Sequence, residues 1–129
     1  MEPELRALAW AIVLGLSQVL IAVGIVTQQR GLKWNIGNRE GLTEPLTGAA
    51  ARAERASKNF LETFVFFAAA ALAVVVSHRG SPATALGAFV YLWARAAYFP
   101  IYIAGIPYVR TLIYVVSLWG VLQLVEALF

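Results

Sequence analysis

The chain contains no cysteine. Disulfides, thiolate metal sites and a cysteine nucleophile are therefore excluded, and cysteine usage says nothing about redox compartment. Histidine is nearly absent as well: the one imidazole, His78, cannot assemble a metal site alone. Its neighbours Arg79-Gly80-Ser81-Pro82 mark it as a turn residue, and no metal is expected. Charge is scarce, with 13% of the residues Asp, Glu, Lys or Arg, where a soluble domain carries about a quarter. Apolar residues make up 60% of the chain and are gathered into long blocks. That combination defines a polytopic membrane protein rather than a soluble core. The net charge of +3 does not indicate a nucleic-acid partner, because the cations cluster beside the apolar blocks, as the positive-inside rule requires of a membrane protein.

Four apolar runs, at about 5–26, 50–77, 83–104 and 107–128, predict an all-α bundle of four transmembrane helices in one domain covering 1–129. In the first run, Gly15, Ser17, Ala22 and Gly24 would allow close approach of neighbouring helices, and Gln18 is expected to hydrogen-bond across to one of them. Between the first two runs lies a polar stretch, 28–48, punctuated by Gly31, Gly37, Gly41, Pro45 and Gly48 and expected to hold little regular structure. Trp34 would anchor it at the headgroup level. This loop and the start of the second run hold Arg30, Lys33, Arg39, Arg52, Arg55 and Lys58, whereas the turn at the other end holds only His78 and Arg79. The loop 28–48 is therefore expected to be cytoplasmic, with both termini outside.

The polar residues inside the apolar runs are patterned. Arg52, Arg55, Asn59 and Glu62 recur at i, i+3, i+7 and i+10, forming one narrow stripe at the mouth of the second run. The third run carries Arg95, with Tyr91, Tyr98 and Tyr102 at helical spacing around it and Pro100 expected to kink the helix just beyond. The fourth opens with Arg110 and Tyr114 one turn apart. Under the topology above, all three groups fall at the cytoplasmic end of the bundle. An ionisable side chain at membrane depth costs roughly 2.5–3.5 kcal/mol on insertion scales and usually faces protein or a water-filled cavity. One shared polar cavity is the arrangement that accounts for three such groups at one depth.

That cavity would be rich in cations, with several phenols, one amide and one carboxylate. Arginine forks grip carboxylates bidentately and stay charged at any working pH. The natural ligand is a small anion with more than one acid group, entering from the cytoplasm. Glu62 would pair with an arginine or grip a ligand ammonium. A cation beside a bound thiol favours the thiolate, and with no cysteine in the protein any thiol must come from the ligand. Apolar flanks open to lipid would admit a lipophilic second substrate.

Arg52-x-x-Arg55-x-x-Lys58-Asn59-x-x-Glu62 resembles the signature of the MAPEG superfamily, the membrane-associated proteins of eicosanoid and glutathione metabolism. Ala94-Arg95-x-x-Tyr98-x-x-x-Tyr102 and Arg110-x-x-x-Tyr114 resemble that family's third- and fourth-helix elements, in the same order and spacing. The Ala-Arg-Ala-x-Arg-Ala and Asn-x-x-Glu pattern is similar to that of small bacterial members, which implies a bacterial inner-membrane protein. The resemblance implies a homotrimer with glutathione bound as co-substrate at the cytoplasmic side. It implies Arg55, Lys58, Asn59, Glu62, Arg95, Tyr98, Tyr102 and Tyr114 as glutathione-binding residues and Arg110 as the catalytic stabiliser of the thiolate. Lys58 stands where glutathione-binding eicosanoid enzymes carry arginine, and Tyr98 where some members carry histidine.

Two functions follow from the resemblance. One is a glutathione-dependent transferase or peroxidase acting on lipophilic electrophiles or lipid hydroperoxides. The other is a non-catalytic lipid- or ligand-binding protein, or an accessory subunit of a membrane complex, since the family contains a non-enzymatic member and fold alone does not settle activity. A proton-coupled exporter of this size would place an acidic residue inside the first run, and residues 7–26 contain none.

Overall fold

The structure is a computed structural model that describes residues 1–38, 41 and 45–129. It consists of α1 (Pro3–Arg30), α2 (Leu32–Ile36), α3 (Gly48–Val76), α4 (Pro82–Ala104) and α5 (Pro107–Glu126). The chain is an all-α, four-helix membrane protein: α1, α3, α4 and α5 are each long and apolar enough to cross a bilayer.

The breaks between helices follow from local chemistry. Gly31 adopts φ 94° and separates α1 from α2. The α3–α4 turn carries His78 in the left-handed region at φ 58°. Ser81 then caps α4: its hydroxyl accepts from the Thr84 backbone N–H at 3.2 Å, while the Thr84 hydroxyl accepts from the Ser81 N–H at 2.7 Å. Pro82 and Pro107 occupy first-turn positions, where the missing N–H costs nothing. Gly105, at φ 81°, supplies the left-handed C-cap of α4. α4 continues as one helix through Pro100.

The described residues of the stretch 28–48 hold more helix than its glycines suggest. α1 runs on to Arg30, and α2 lies within the stretch. α2 is tied back by Asn35 Nδ2 donating to Thr27 Oγ1 and by the Arg30 guanidinium 4.6 Å from the Trp34 ring centroid. Trp34 is half-buried against that arginine. Gln29 accepts from the Thr47 N–H at 3.1 Å, bringing the end of α1 to the start of α3. Arg39, counted among the loop's cations, lies outside the described residues.

Small residues set the packing. A Cβ at Gly120 would fall 2.5 Å from the Gly87 carbonyl oxygen, and one at Gly87 would fall 2.6 Å from the Gly120 carbonyl oxygen. α4 and α5 therefore cross almost backbone to backbone. On α1, Gly15 receives the Phe60 ring, which a Cβ would meet at 2.8 Å, whereas Gly24 has nothing within 4 Å. Phe60, Phe67, Tyr91 and Leu124 fill the centre among buried alanines. Phe67 stacks on Tyr91 at 4.1 Å, and the Tyr91 hydroxyl bonds to Thr63 at 2.9 Å. Tyr91 thus belongs to the core rather than to the polar stripe of α4. Gln18 is buried, but its Oε1 has no hydrogen-bond partner. The expected bond across to a neighbouring helix is not formed among the described residues.

Candidate functional site

The mouth of α3, the end of α4 and the start of α5 converge on a cavity of about 400 Å³. Arg55, Lys58, Asn59 and Glu62 line it from α3, Tyr98 and Tyr102 from α4, and Arg110, Thr111 and Tyr114 from α5. Spacing explains the assembly. Asn59 and Glu62, Tyr98 and Tyr102, and Arg110 and Tyr114 are each one helical turn apart, so each helix presents one polar face to the common space. The cavity holds three cations, Arg55, Lys58 and Arg110, against one carboxylate, Glu62.

Tyr102 is the hub of the cationic side. Its hydroxyl accepts from Arg55 Nε at 3.2 Å, and the Arg110 guanidinium lies 4.5 Å from its ring centroid. Two guanidinium groups from different helices are thereby held beside one phenol, with cation–π attraction offsetting part of their mutual repulsion. Tyr98 packs edge-on to Tyr102 at 5.5 Å and sits 6.3 Å from Tyr114. Lys58 points along its own helix, with Nζ 3.0 Å from Glu54 Oε1. Glu62 pairs with no cation among the described residues.

Arg95 stands apart from the lining. It is 1% exposed and lies behind the wall. Its Nη2 donates to Asn59 Oδ1 at 2.7 Å, its guanidinium stacks 4.1 Å from the Tyr98 centroid, and Nε and Nη1 have no hydrogen-bond partner. No carboxylate pairs with it among the described residues. A buried, unneutralised cation behind an already cationic cavity makes the space more favourable to an anion. Because guanidinium can only donate, Asn59 must present its carbonyl to Arg95, which leaves its amide N–H donors free for another acceptor.

Arg52, the first member of the α3 stripe, does not reach the cavity. Its Nε donates to the Ile103 carbonyl at 2.7 Å. There it satisfies the C-terminal turn of α4 and complements its dipole. Thr111 is a lining residue that motif reasoning passed over. Its signal was one turn of spacing from Tyr114, the same spacing that marks the other pairs.

Fold and site together define a four-helix integral membrane protein with a polar, cation-rich cavity at one end of the bundle. Residues 7–128 match the model of the MAPEG family, and the chain belongs to that family. The family includes glutathione transferases and peroxidases as well as non-catalytic members; its members generally use glutathione and are typically trimeric. No curated protein and no solved structure matches the chain.

Proposed function

We propose that the protein binds glutathione in the α3–α4–α5 cavity and acts as a membrane-bound glutathione transferase or peroxidase on lipophilic electrophiles or lipid hydroperoxides. The observation that carries this reading is the charge pattern of the cavity: three cations and one unpaired carboxylate within about 400 Å³. Glutathione carries two carboxylates, one ammonium and one thiol. Arg55 and Lys58 suit the carboxylates, Glu62 the ammonium, and the N–H donors of Asn59 a peptide carbonyl. Arg110 is the thiolate stabiliser, aided by the hydroxyls of Tyr98, Tyr102 and Tyr114.

The chain's part in the chemistry is electrostatic. Arg110 lowers the cost of removing the thiol proton, which leaves through the open mouth of the cavity. The tyrosine wall excludes bulk water from the nucleophile's flank. In the transferase reaction the thiolate sulfur forms a bond to an electrophilic carbon delivered through the bilayer, and that carbon's bond to its leaving group breaks, so that an aryl halide releases halide ion. In the peroxidase reaction two thiols supply two electrons, a hydroperoxide becomes an alcohol and water, and the sulfurs end as a disulfide. We place the cavity at the cytoplasmic face of a bacterial inner membrane, in a homotrimer.

The second reading is a non-catalytic ligand-binding member. The Lys58–Glu54 pair favours it, because one of the three cations is already engaged and lacks the arginine fork. Calorimetry on the detergent-purified protein tests binding, and turnover with a chromogenic aryl halide tests catalysis. The enzyme reading expects saturable glutathione binding in the wild type that is lost in Glu62→Gln, and turnover reduced more than about tenfold in Arg110→Ala with assembly unchanged. Binding without turnover selects the second reading. Absence of binding at millimolar glutathione overturns the enzyme reading and leaves the non-catalytic one, with a ligand other than glutathione.

A further inference from the structure

A second cavity, of about 510 Å³, lies between α1 and α4, on a different face from the first and toward the opposite end of the bundle. Arg6 and Trp10 stand at its top, Leu14 and Phe89 form its walls, and Trp93 and Ser17 lie at its foot. We propose that this groove is a binding site for one anionic phospholipid of the leaflet at the N-terminal end of α1. Arg6 would hold the phosphate and the groove one acyl chain.

Three observations carry it. The first is charge. Arg6 is exposed and pairs with no carboxylate among the described residues. The nearby Glu4 is turned inward, where it accepts a hydrogen bond from Thr84. Among the described residues, the only side-chain charge lining the groove is therefore a guanidinium at its top. Below it the lining is apolar, since the Ser17 hydroxyl is spent on the Val13 carbonyl at 2.8 Å. A ligand matching this surface has an anionic head and a hydrocarbon tail.

The second is length. From Arg6 to Ser17 the helix rises about 16 Å at ~1.5 Å per residue. That is about half of a hydrocarbon core ~30 Å thick. A lipid chain occupies one leaflet, whereas a partner transmembrane helix would need a seam across both. The walls also differ from the helix–helix contact seen elsewhere in this fold. α4 and α5 meet through Gly87 and Gly120, but this groove is edged by indole and phenyl rings, too bulky for close backbone approach.

The third is the placement of tryptophan. Indoles concentrate at the membrane–water interfaces. Trp93 lies in the middle of α4, 69% exposed, with Trp10 59% exposed above it. Trp93 takes no part in the core, and a flat ring at acyl-chain depth is accounted for as the groove's floor.

The two indoles make the test direct. The protein, with Trp34 and Trp119 replaced by Phe so that Trp10 and Trp93 report alone, is reconstituted into phosphatidylcholine vesicles. A minor fraction of acyl-brominated phosphatidylglycerol, or of acyl-brominated phosphatidylcholine, is included, and tryptophan quenching is read as a function of that fraction. One arginine at the membrane surface gives about a fivefold preference for a monoanionic lipid. Phosphatidylglycerol should therefore quench at about one-fifth the mole fraction. Arg6→Gln should abolish the preference, while Arg79→Gln, another cation at that end, should retain it. Equal quenching by both lipids, a preference that survives Arg6→Gln, or the absence of quenching by either lipid overturns the proposal; the last would mean that protein covers the groove. Should the double-Phe background fail to fold, the wild type and Arg6→Gln are compared by native mass spectrometry for retained phosphatidylglycerol. Equal retention there overturns the proposal as well.

Discussion

Arg95 on α4 holds Asn59 on α3 through a 2.7 Å hydrogen bond from Nη2 to Oδ1, and that bond fixes which end of the amide is left for another partner. A charge-assisted hydrogen bond of this kind contributes roughly 1.5–3 kcal/mol. Arg95→Gln removes both the charge and the orientation of Asn59. It should weaken glutathione binding by about tenfold or more. Arg95→Lys keeps the charge but loses the planar fork, and its affinity should fall between the two. Calorimetric titration of the three proteins checks the order, and equal affinity for wild type and Arg95→Gln would show that the buried guanidinium is only structural.

Lys58 is the cavity cation least committed to a ligand, since Glu54 holds it at 3.0 Å. The pair is solvent-exposed, and pairs of that kind contribute about 0.5 kcal/mol or less. Lys58→Arg restores a bidentate fork at the same position and should tighten glutathione binding by about threefold, with thermal stability essentially unchanged. Weaker binding by the arginine variant would mean that the lysine reaches the ligand as a point charge and that the fork does not fit.

The α4–α5 crossing should tolerate no added methyl. A Cβ at Gly120 falls 2.5 Å from one backbone atom and 2.9 Å from another, so the helices must separate to admit it. Overpacking of this kind typically costs about 1–3 kcal/mol. Because Arg110 and Tyr114 ride on α5 opposite Tyr98 and Tyr102, the displacement also opens the cavity. Gly120→Ala should lower the melting temperature in detergent and weaken glutathione binding. Gly24→Ala, with nothing within 4 Å, should leave both unchanged.

The residues that a sequence displays well are those whose chemistry conflicts with their surroundings. A charge or phenol recurring at helical spacing inside an apolar run is visible without coordinates. For that reason Arg55, Asn59, Glu62, Tyr98, Tyr102, Arg110 and Tyr114 could be named together, and the structure places them around one cavity. Spacing could not tell lining from support. Arg52 and Arg55 differ by one turn, yet one caps α4 and the other faces the cavity. Arg95 is on the right face but recessed behind it. α2 was hidden because glycines bracket a segment whose helix depends on contacts with Thr27 and Arg30. Gly87 and Gly120 were silent because only the partner helix gives a glycine on a helix face its meaning.

Glu4 was equally silent, being an acidic residue beside a helix start, where solvent exposure is the ordinary expectation. In the fold it is 1% exposed, and it ties α1 to the N-terminus of α4 by accepting from the Thr84 hydroxyl. Its other oxygen, Oε2, has no hydrogen-bond partner. The positive end of the α4 dipole and the Thr84 hydroxyl compensate the buried carboxylate. Thr84→Val removes that hydroxyl without changing volume appreciably; it leaves the carboxylate buried with neither oxygen hydrogen-bonded among the described residues and takes the side-chain acceptor from the Ser81 N–H. This should destabilise the protein by about 1–3 kcal/mol. Glu4→Gln in the same background should recover part of the loss, because a neutral amide is cheaper to bury than a carboxylate. The tie lies at the end of the bundle opposite the cavity, so glutathione affinity of the folded protein should not change in either variant. Thermal unfolding in detergent, paired with calorimetry, separates the two readouts. A Thr84→Val protein as stable as wild type would mean that the helix dipole alone holds Glu4, and one that lost glutathione affinity while remaining folded would mean that the two ends of the bundle are coupled.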